Sequence, residues 1–335
     1  MMCAQRLVIV IAWLLLLLLA IGGCESRGQS VRVMSFNILQ GGGDASNVGF
    51  SDDDYNGSRM DDIAQVIIAS GANIVGIQEP PRGDTLLDEL GSDWHRAGSI
   101  YSTYNIEPIA LGNVDVARVT MTDGVSVVVV NIHWRPYPYG PYDAQESLRE
   151  HGAPNDHDAF AQLILQGADK SGGARGIDET LDAIRPLIEQ GEIVLLTGDF
   201  NEPSHLDWTD RAAVEGMDRW VTNPTGVPLR FKIAWAGSTA LYELGMTDAY
   251  RAVHRDEVAR PGITWTPTYA EGTVGRRPFG EQVLDRIDMI YFAGEGVRAV
   301  RCDVIGEDAQ ACEIAHPTRW PSDHRAVLAE LLIRD

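Results

Sequence analysis

Residues 193–201 of the 335-residue chain read Ile-Val-Leu-Leu-Thr-Gly-Asp-Phe-Asn. The apolar run from Ile193 to Thr197 is typical of a buried β-strand. Gly198 allows backbone and ligand to approach closely, and Asp199 and Asn201 follow it directly. Because alternate residues of an extended segment point the same way, these two side chains are predicted to face one site. The alternative is an Asx turn that only closes the strand end.

Five further fragments have a polar side chain at or near the end of an apolar run. They are Ser35-Phe36-Asn37-Ile38, Ile77-Gln78-Glu79, Asn131-Ile132-His133-Trp134, Arg286-Ile287-Asp288-Met289-Ile290-Tyr291 and Ser322-Asp323-His324. Polar groups at the ends of several strands are how a β-rich scaffold builds a hydrolytic site assisted by a metal ion. One such fragment is weak evidence, but six in one chain predict a site of this kind.

The segments between these fragments predict strands alternating with helices, followed by a second half richer in strands. Strands are predicted at 31–38, 73–78, 97–104, 114–121, 125–132, 193–197, 283–292 and 326–333. Helices are predicted at 59–70 and 177–190, where apolar residues recur at helical spacing. No low-complexity linker divides the chain, and residues 135–152, rich in Pro and Tyr, are its most irregular stretch. The pattern favours two packed sheets with helices outside them.

The six fragments, in this order and at these separations, resemble the endonuclease/exonuclease/phosphatase superfamily of metal-dependent phosphoesterases. Residues 198–201 and 322–324 are the most specific parts of the resemblance, which extends over residues 31–335. It implies an α/β fold, a four-layer α-β-β-α sandwich of two mixed sheets flanked by helices. It also implies hydrolysis of a phosphodiester or phosphomonoester by an activated water molecule.

The predicted metal-binding residues are Glu79, Asn37 and Asp323. Mg²⁺ is commonly held by one or two carboxylates, with water and substrate oxygens completing its shell, and Glu79 at a strand end suits this role. By resemblance, Asn37 orients Glu79 or contacts the metal shell, and Asp323 reaches the metal directly or through water. The expected cofactor is therefore Mg²⁺, with Mn²⁺ as a substitute. The alternative for Glu79 alone is a strand-end side chain that faces solvent.

The predicted catalytic residues are Asp199, Asn201, His133, Asp288 and His324. Asp199 is expected to orient and deprotonate water, and Asn201 to donate to a phosphoryl oxygen of the substrate. A carboxylate inside the apolar strand at Asp288 is costly unless paired, and His324 needs a partner that sets its tautomer, so the two are predicted to pair. His133 is expected to bind the phosphate or help protonate the leaving group. The alternative for Asp288 and His324 is an ion pair with only a structural role. The alternative for His133 is a histidine at the sheet edge whose hydrogen bonds are satisfied there.

The N-terminus predicts export. Arg6 is the single charge before Glu25, and residues 7–21 are apolar throughout, which is shorter than the ~20 residues of a spanning helix. Small residues directly before Cys24 resemble a lipoprotein signal at 1–23, with Cys24 lipidated and 24–30 a tether to the domain at 31–335. The expected location is the periplasm or the cell surface, anchored to the membrane by lipid. The alternative is an uncleaved membrane anchor.

Cys302 and Cys312 are the only cysteines after Cys24. An even pair in an exported chain predicts a disulfide, and the residues between the two read as strand, turn and return. The alternative is two buried free thiols.

Charge restricts the partners. Without residues 1–23 the chain has 26 basic and 48 acidic residues, a formal charge of −22. Proteins hold nucleic acids largely through Lys and Arg at phosphates, so tight nonspecific duplex binding is disfavoured. The expected substrate is a phosphoester, which is a lipid headgroup, a small molecule or a nucleic acid. Net acidity and a membrane anchor favour the first two, whereas the family resemblance favours an exported nuclease on DNA or RNA. A catalytically inactive binding module is a third reading, against which the complete set of site residues argues. No protein partner is evident.

Overall fold

A computed structural model describes residues 28–122, 124–169, 176–316 and 319–334. Its strands, numbered along the chain, are β1 (Gln29–Asn37), β2 (Ile74–Gln78), β3 (His95–Ala97), β4 (Ile100–Ser102), β5 (Asn105–Pro108), β6 (Asp115–Thr120), β7 (Ser126–His133), β8 (Val194–Asp199), β9 (Thr247–Asp248), β10 (Asp288–Ala293), β11 (Val297–Gly306), β12 (Ile314–Ala315) and β13 (Ala326–Ile333). They form two mixed sheets. The first has the order β12-β11-β13-β1-β2-β4-β3 and the second the order β5-β6-β7-β8-β10-β9.

Helices lie outside the two sheets, except that the last of them packs Ala249 and Tyr250 into the core between the sheets. They are α1 (Met60–Ser70), α2 (Thr85–Leu90), α3 (Gly140–His151), α4 (His157–Asp169), α5 (Ile177–Glu189), α6 (Asp210–Glu215), α7 (Ala236–Glu243) and α8 (Ala249–Val253). Ile63 of α1 shares a buried apolar cluster with Phe36 of the first sheet, and Ile184 of α5 shares one with Leu196 of the second. The layers therefore run helix, sheet, sheet, helix, and the predicted sandwich is confirmed.

The central strands are apolar on both faces because both faces are covered. In β7, Val127 and Val129 belong to the core between the two sheets. Val128 and Val130 belong to the core between the second sheet and its helices. A strand between two layers therefore has an unbroken apolar run in place of alternation.

Polar contacts join the two sheets next to the strand ends. Gln78 Nε2 of the first sheet donates to Asn131 Oδ1 of the second at 2.6 Å, and Thr197 Oγ1 donates to the same oxygen at 2.9 Å. Gly76 permits this approach, since a Cβ there would lie 2.0 Å from Thr197 Oγ1. These hydrogen bonds hold the ends of β2, β7 and β8 at a set distance from one another.

Three predicted segments differ from the structure. Residues 97–104 are interrupted, because a two-residue turn at Gly98, with φ of 61°, separates β3 from β4. The strand predicted at 283–292 begins only at Asp288, since Val283 and Asp285 form isolated bridges outside the sheet. Residues 135–152 contain α3, whose first turn holds a proline, a position where the missing N–H costs nothing.

The predicted disulfide between Cys302 and Cys312 is wrong in this structure, where both are buried free thiols. Cys302 lies in β11 and packs in the core between the sheets, and burial raises the pKa of its thiol. Cys312 lies in the following turn and donates through Sγ to the carbonyl oxygen of Asp308 at 2.8 Å. The turn thus satisfies the second thiol locally.

The predicted signal at 1–23, Cys24 and most of the tether at 24–30 lie outside the described residues. In the part of the chain that is described, no helix has the length and apolarity needed to cross a membrane.

Candidate active site

Strand register brings the predicted residues to one end of the sandwich. β1 and β2 are parallel with Asn37 beside Gln78, and β7 and β8 are parallel with His133 beside Asp199. β10 runs antiparallel to β8 and begins at Asp288, opposite Asp199. Because β13 runs antiparallel to β1, residues 322–324 before it reach the same end. The residues collected there are Asn37, Glu79, His133, Asp199, Asn201, Asp288, Asp323 and His324.

Asp199 lies at the centre of this group and is almost fully buried. Its Oδ2 accepts from Asn37 Nδ2 at 3.0 Å and faces the Nε2 atoms of His133 at 3.4 Å and His324 at 3.7 Å. Burial alone would raise its pKa, but His324 and His133 overcome this and lower the pKa of Asp199 to about 2. The carboxylate is therefore held as an anion among groups that carry protons.

The opposite oxygen, Oδ1, accepts the backbone N–H of Asn201 at 2.9 Å. The Asx turn considered as an alternative therefore does form, and one carboxylate both closes the strand and faces the cleft. Asn201 Nδ2 donates to the carbonyl oxygen of Trp134 at 2.8 Å, which ties the end of β8 to the residue after β7. The structure places Asn201 in the lining of the cleft beside Asp199.

Asp288 and His324 form a buried pair. His324 Nδ1 lies 2.9 Å from Asp288 Oδ2, and the backbone N–H of Asp288 donates to Thr264 Oγ1 at 3.0 Å. Burial alone would lower the pKa of His324, but the carboxylates of Asp288, Asp199 and Asp323 outweigh it and raise that pKa. Since Nδ1 faces Asp288, Nε2 is left to face Asp199 and the cleft.

Glu79 lies directly after β2 with a positive φ of 53°. Its Oε2 accepts the backbone N–H of Gln40 at 2.6 Å, and its Oε1 lies 3.5 Å from Asn37 Nδ2 and 3.2 Å from a guanidinium nitrogen of Arg276. Burial raises the pKa of Glu79, but the Gln40 amide and Arg276 outweigh it, and the net shift is downward. A left-handed conformation is costly for Glu, and such strain is typical of functional positions.

Asp323 supplies the observation that tests whether a cation fits. Its Oδ1 is buried and accepts no hydrogen bond within the described residues. Burial raises the pKa of this carboxyl, with repulsion from Glu79 contributing in the same direction. A buried carboxylate oxygen without a donor is costly, and a divalent cation would relieve that cost. The residues present therefore fit a hard cation bound by oxygen atoms.

One group of possible ligand atoms is compact. Oxygen or nitrogen atoms of Asp199, Asp288 and His324 all lie within 4.8 Å of one another. In this group His324 Nδ1 is already engaged with Asp288 Oδ2, which suits transfer of a proton better than binding of a metal. Glu79 and Asp323 are carboxylates with the chemistry of hard ligands, and the imidazole of His324 lies farther from Asp323, with Nε2 4.0 Å from Oδ1, than from Asp288.

Aromatic side chains wall one side of the cleft. Tyr137, Tyr142 and Trp265 line it together with the catalytic residues. Tyr137 is 61% exposed, whereas Tyr139 is buried and donates its hydroxyl to Asp285 Oδ2 at 2.9 Å. The Pro- and Tyr-rich segment thus supplies both a cleft wall and an internal anchor.

Two contributors to the site escaped the sequence reasoning. Arg276 comes from a loop far along the chain, and Thr264 holds the start of β10 through its hydroxyl. The signal for Arg276 was slight, a pair of arginines in a segment with Gly and Pro. For Thr264 the only signal was its place beside Trp265, which packs near the His324 ring with centroids 6.3 Å apart.

Several known proteins are similar to this chain. A profile of the Endonuclease/Exonuclease/phosphatase family matches residues 34–324. The uncharacterized protein F14F9.5 of Caenorhabditis elegans is 25% identical over 325 residues, which are 91% of this chain and 92% of that protein. A crystal structure of a family member from Bacteroides thetaiotaomicron is 17% identical, with a TM-score of 0.49, over 92% of this chain and 99% of its own. The crystal structure of a family member from Beutenbergia cavernae is 14% identical, with a TM-score of 0.48, over 91% of this chain and 72% of its own.

Two packed sheets with carboxylates, amides and histidines at one end define the class of sandwich-fold hydrolases. Because the profile spans most of its length, the chain belongs to the Endonuclease/Exonuclease/phosphatase family, and the resemblance drawn from the fragments is confirmed. Members of this family are metal-dependent phosphoesterases and nucleases. The protein is accordingly a hydrolase that acts on ester bonds.

Proposed function

We propose that the protein is a Mg²⁺-dependent phosphoesterase that cleaves a phosphodiester or phosphomonoester by attack of an activated water. One observation carries the proposal. Asp199 Oδ2 faces the cleft between His133 and His324, at the same strand ends as the buried Asp323 oxygen that lacks a donor. A general base, two proton-bearing groups and a place for a hard cation are the parts that this hydrolysis needs.

Mg²⁺, or Mn²⁺ in its place, would be held by Glu79 and Asp323 with Asn37 beside them, and would neutralise charge on the phosphate. Asp199 orients the attacking water through Oδ2 and accepts its proton. In the free site the pKa of Asp199 is lowered to about 2, which makes it a weak base. Once phosphoryl oxygens accept from His133 and His324, the carboxylate loses this stabilisation and its basicity rises.

His324 and His133 both act on the substrate, each with its Nε2 near Asp199 Oδ2. His324 is fixed by Asp288, so that an Nε2–H donates to a phosphoryl oxygen. His133 is partly exposed at the end of β7. Burial acts to lower its pKa, but its contact with Asp199 outweighs this and raises it. It is therefore positioned to bind the phosphate or donate a proton to the leaving oxygen.

Removal of divalent cations is expected to abolish turnover. Without a cation, Glu79, Asp199 and Asp323 would repel an anionic phosphate, so thorough treatment with EDTA should reduce hydrolysis of a chromogenic phosphodiester to background. Excess Mg²⁺ or Mn²⁺ should restore it, and circular dichroism before and after chelation controls for unfolding. Undiminished activity after complete chelation would contradict the proposal.

The substrate we propose is a lipid headgroup or small phosphoester, because the charge of −22 disfavours long polyanions. The cleft supports this, since Arg276 is the one Arg or Lys among the described residues that line it. A panel of DNA, RNA, sphingomyelin, phosphoinositides and a chromogenic diester, each with Mg²⁺, tests the choice. Faster turnover of DNA or RNA than of every small substrate would favour the nuclease.

We also propose that the protein is an exported lipoprotein anchored through Cys24. The support is the apolar run at 7–21 and the small residues before that cysteine. Cys24→Ser is expected to abolish incorporation of labelled palmitate and to move the protein out of the membrane fraction, whereas Cys3→Ser should change neither. Retention of the Cys24→Ser protein in membranes would indicate an uncleaved anchor instead.

A further inference from the structure

We propose that Arg276 binds the phosphoryl group of the substrate and determines the site's affinity for it, after release from Glu79 by the incoming cation. The inference rests on the proposed function and extends it to a residue that the family motifs do not contain. In the structure Arg276 pairs with Glu79 at 3.2 Å. In the loaded protein the same guanidinium would face the substrate.

The oxygen that Arg276 contacts is the one that a cation needs. Glu79 Oε2 is already committed to the backbone N–H of Gln40 at 2.6 Å. Oε1 points the other way, toward Asn37 Nδ2, which in turn donates to Asp199 at 3.0 Å. Arg276 therefore contacts the Glu79 oxygen that is nearer to the catalytic carboxylate, and a cation bound there would compete with it.

The neighbouring arginine shows that this placement is specific. Arg277 is satisfied away from the cleft, since it donates to Gln145 Oε1 at 3.1 Å and to Glu146 Oε1 at 2.8 Å. Its guanidinium also lies 4.0 Å from the centroid of the Tyr142 ring. Within the described part of the chain Arg276 forms an ion pair with Glu79, the charge of Asp323 also acts on it, and its side chain is 34% exposed. The first arginine is thus free to change partners, and the second fastens the loop to α3.

The loop that carries Arg276 is anchored on both sides. Thr273 Oγ1 donates to Asp52 Oδ2 at 2.7 Å. The carbonyl oxygen of Gly275 packs closely on Gly49, because a Cβ atom on Gly49 would lie only 2.7 Å from that oxygen. Phe279 packs edge-on against Tyr269 at 5.6 Å. The backbone is therefore held at the cleft while the long side chain keeps its reach.

Charge gives the reason for the exchange. The cleft contains the carboxylates of Glu79, Asp199 and Asp323, and Arg276 is the one Arg or Lys among the described residues that line it. A divalent cation beside Glu79 would repel the guanidinium and replace it there. A phosphate on the cation brings new negative charge, and a planar guanidinium can donate two parallel hydrogen bonds to it.

Arg276→Ala is expected to move two affinities in opposite directions. By calorimetry without substrate, Mn²⁺ should bind roughly 2- to 5-fold more tightly, because the cation no longer displaces an exposed ion pair. With Mn²⁺ at saturation, inorganic phosphate should bind roughly 10- to 100-fold more weakly, and KM should rise by a similar factor with kcat changing less. A residue with only a structural role would weaken both ligands together.

Controls make the outcome decisive. Arg211→Ala should leave both dissociation constants within about twofold of wild type, since Arg211 pairs with Glu215 and Asp256 on the surface and lies outside the cleft. Arg276→Gln, which keeps the bulk and a donor, serves as a second variant should the alanine form fold poorly. Unchanged phosphate affinity, or weakened binding of both ligands, would overturn the inference. If the wild-type protein binds no divalent cation, the proposed function itself fails.

Discussion

Asp199→Asn is expected to lower kcat by at least ~100-fold, because it removes the carboxylate oxygen that accepts the proton from water. The amide has nearly the same shape, and its oxygen can still accept the backbone N–H of Asn201. The free energy of unfolding is therefore expected to change by less than about 1.5 kcal/mol. Initial rates at saturating Mg²⁺ and substrate, together with urea unfolding, measure the two effects.

His324→Ala removes the imidazole that donates to the substrate and is also expected to lower kcat by at least ~100-fold. Asp256→Asn is a matched control, because Asp256 is exposed, pairs with Arg211 and lies outside the cleft. It should leave kcat unchanged. If Asp199→Asn or His324→Ala lowers stability and leaves kcat near wild type, that residue has a structural role and not a catalytic one.

Arg286→Met is expected to lower the free energy of unfolding by about 3–5 kcal/mol, because it leaves buried charges without a partner. Arg286 is fully buried and donates to Asp207 Oδ2 at 2.9 Å and to Asp248 Oδ2 at 2.7 Å. Both acids are themselves buried, and only Asp207 has a second arginine, Arg251, at 2.6 Å. Urea denaturation followed by tryptophan fluorescence measures the loss.

The control for Arg286 is an arginine whose ion pairs face water. Arg211 contacts Asp256 at 2.8 Å with both side chains largely exposed, so Arg211→Ala should cost less than about 1 kcal/mol. If Arg286→Met lowers the free energy of unfolding by less than about 1 kcal/mol, solvation or protonation of Asp207 and Asp248 compensates for the missing guanidinium. The buried cluster would then contribute little to holding residues 286–288 in place.

The sequence was sufficient for the strand ends because each signal there is local. An apolar run indicates a buried strand, and the polar residue that follows it marks the strand's end, as at Asn37, His133 and Asp199. The family resemblance then implied the four-layer sandwich in which these ends come together. The fold and the family were predicted in this way and are confirmed, whereas the roles of the site residues remain predictions for the variants above.

The local sequence pattern was insufficient to predict segments whose conformation is set by a turn or by contacts with other parts of the chain. The predicted strand at 97–104 is divided because Gly98 adopts a left-handed turn, and the strand at 283–292 is shortened because Val283 and Asp285 bridge to residues outside the sheet. Cys302 and Cys312 were predicted to bridge because cysteine pairing follows a general rule for exported chains. Their actual partners, a sheet core and a nearby carbonyl, depend on how the following turn packs.

By itself the sequence determined the layers of the sandwich and which polar residues end its strands, because hydrophobic periodicity and strand-end chemistry are properties of neighbouring residues. Only the tertiary structure decided which side chains meet. Arg276 and Glu79 are 197 positions apart, and Asp207 and Arg286 are 79 apart. Pairs at such separations are selected by sheet register and loop anchoring. The spacing of residues along the sequence therefore does not predict that Arg276 pairs with Glu79 or that Arg286 pairs with Asp207.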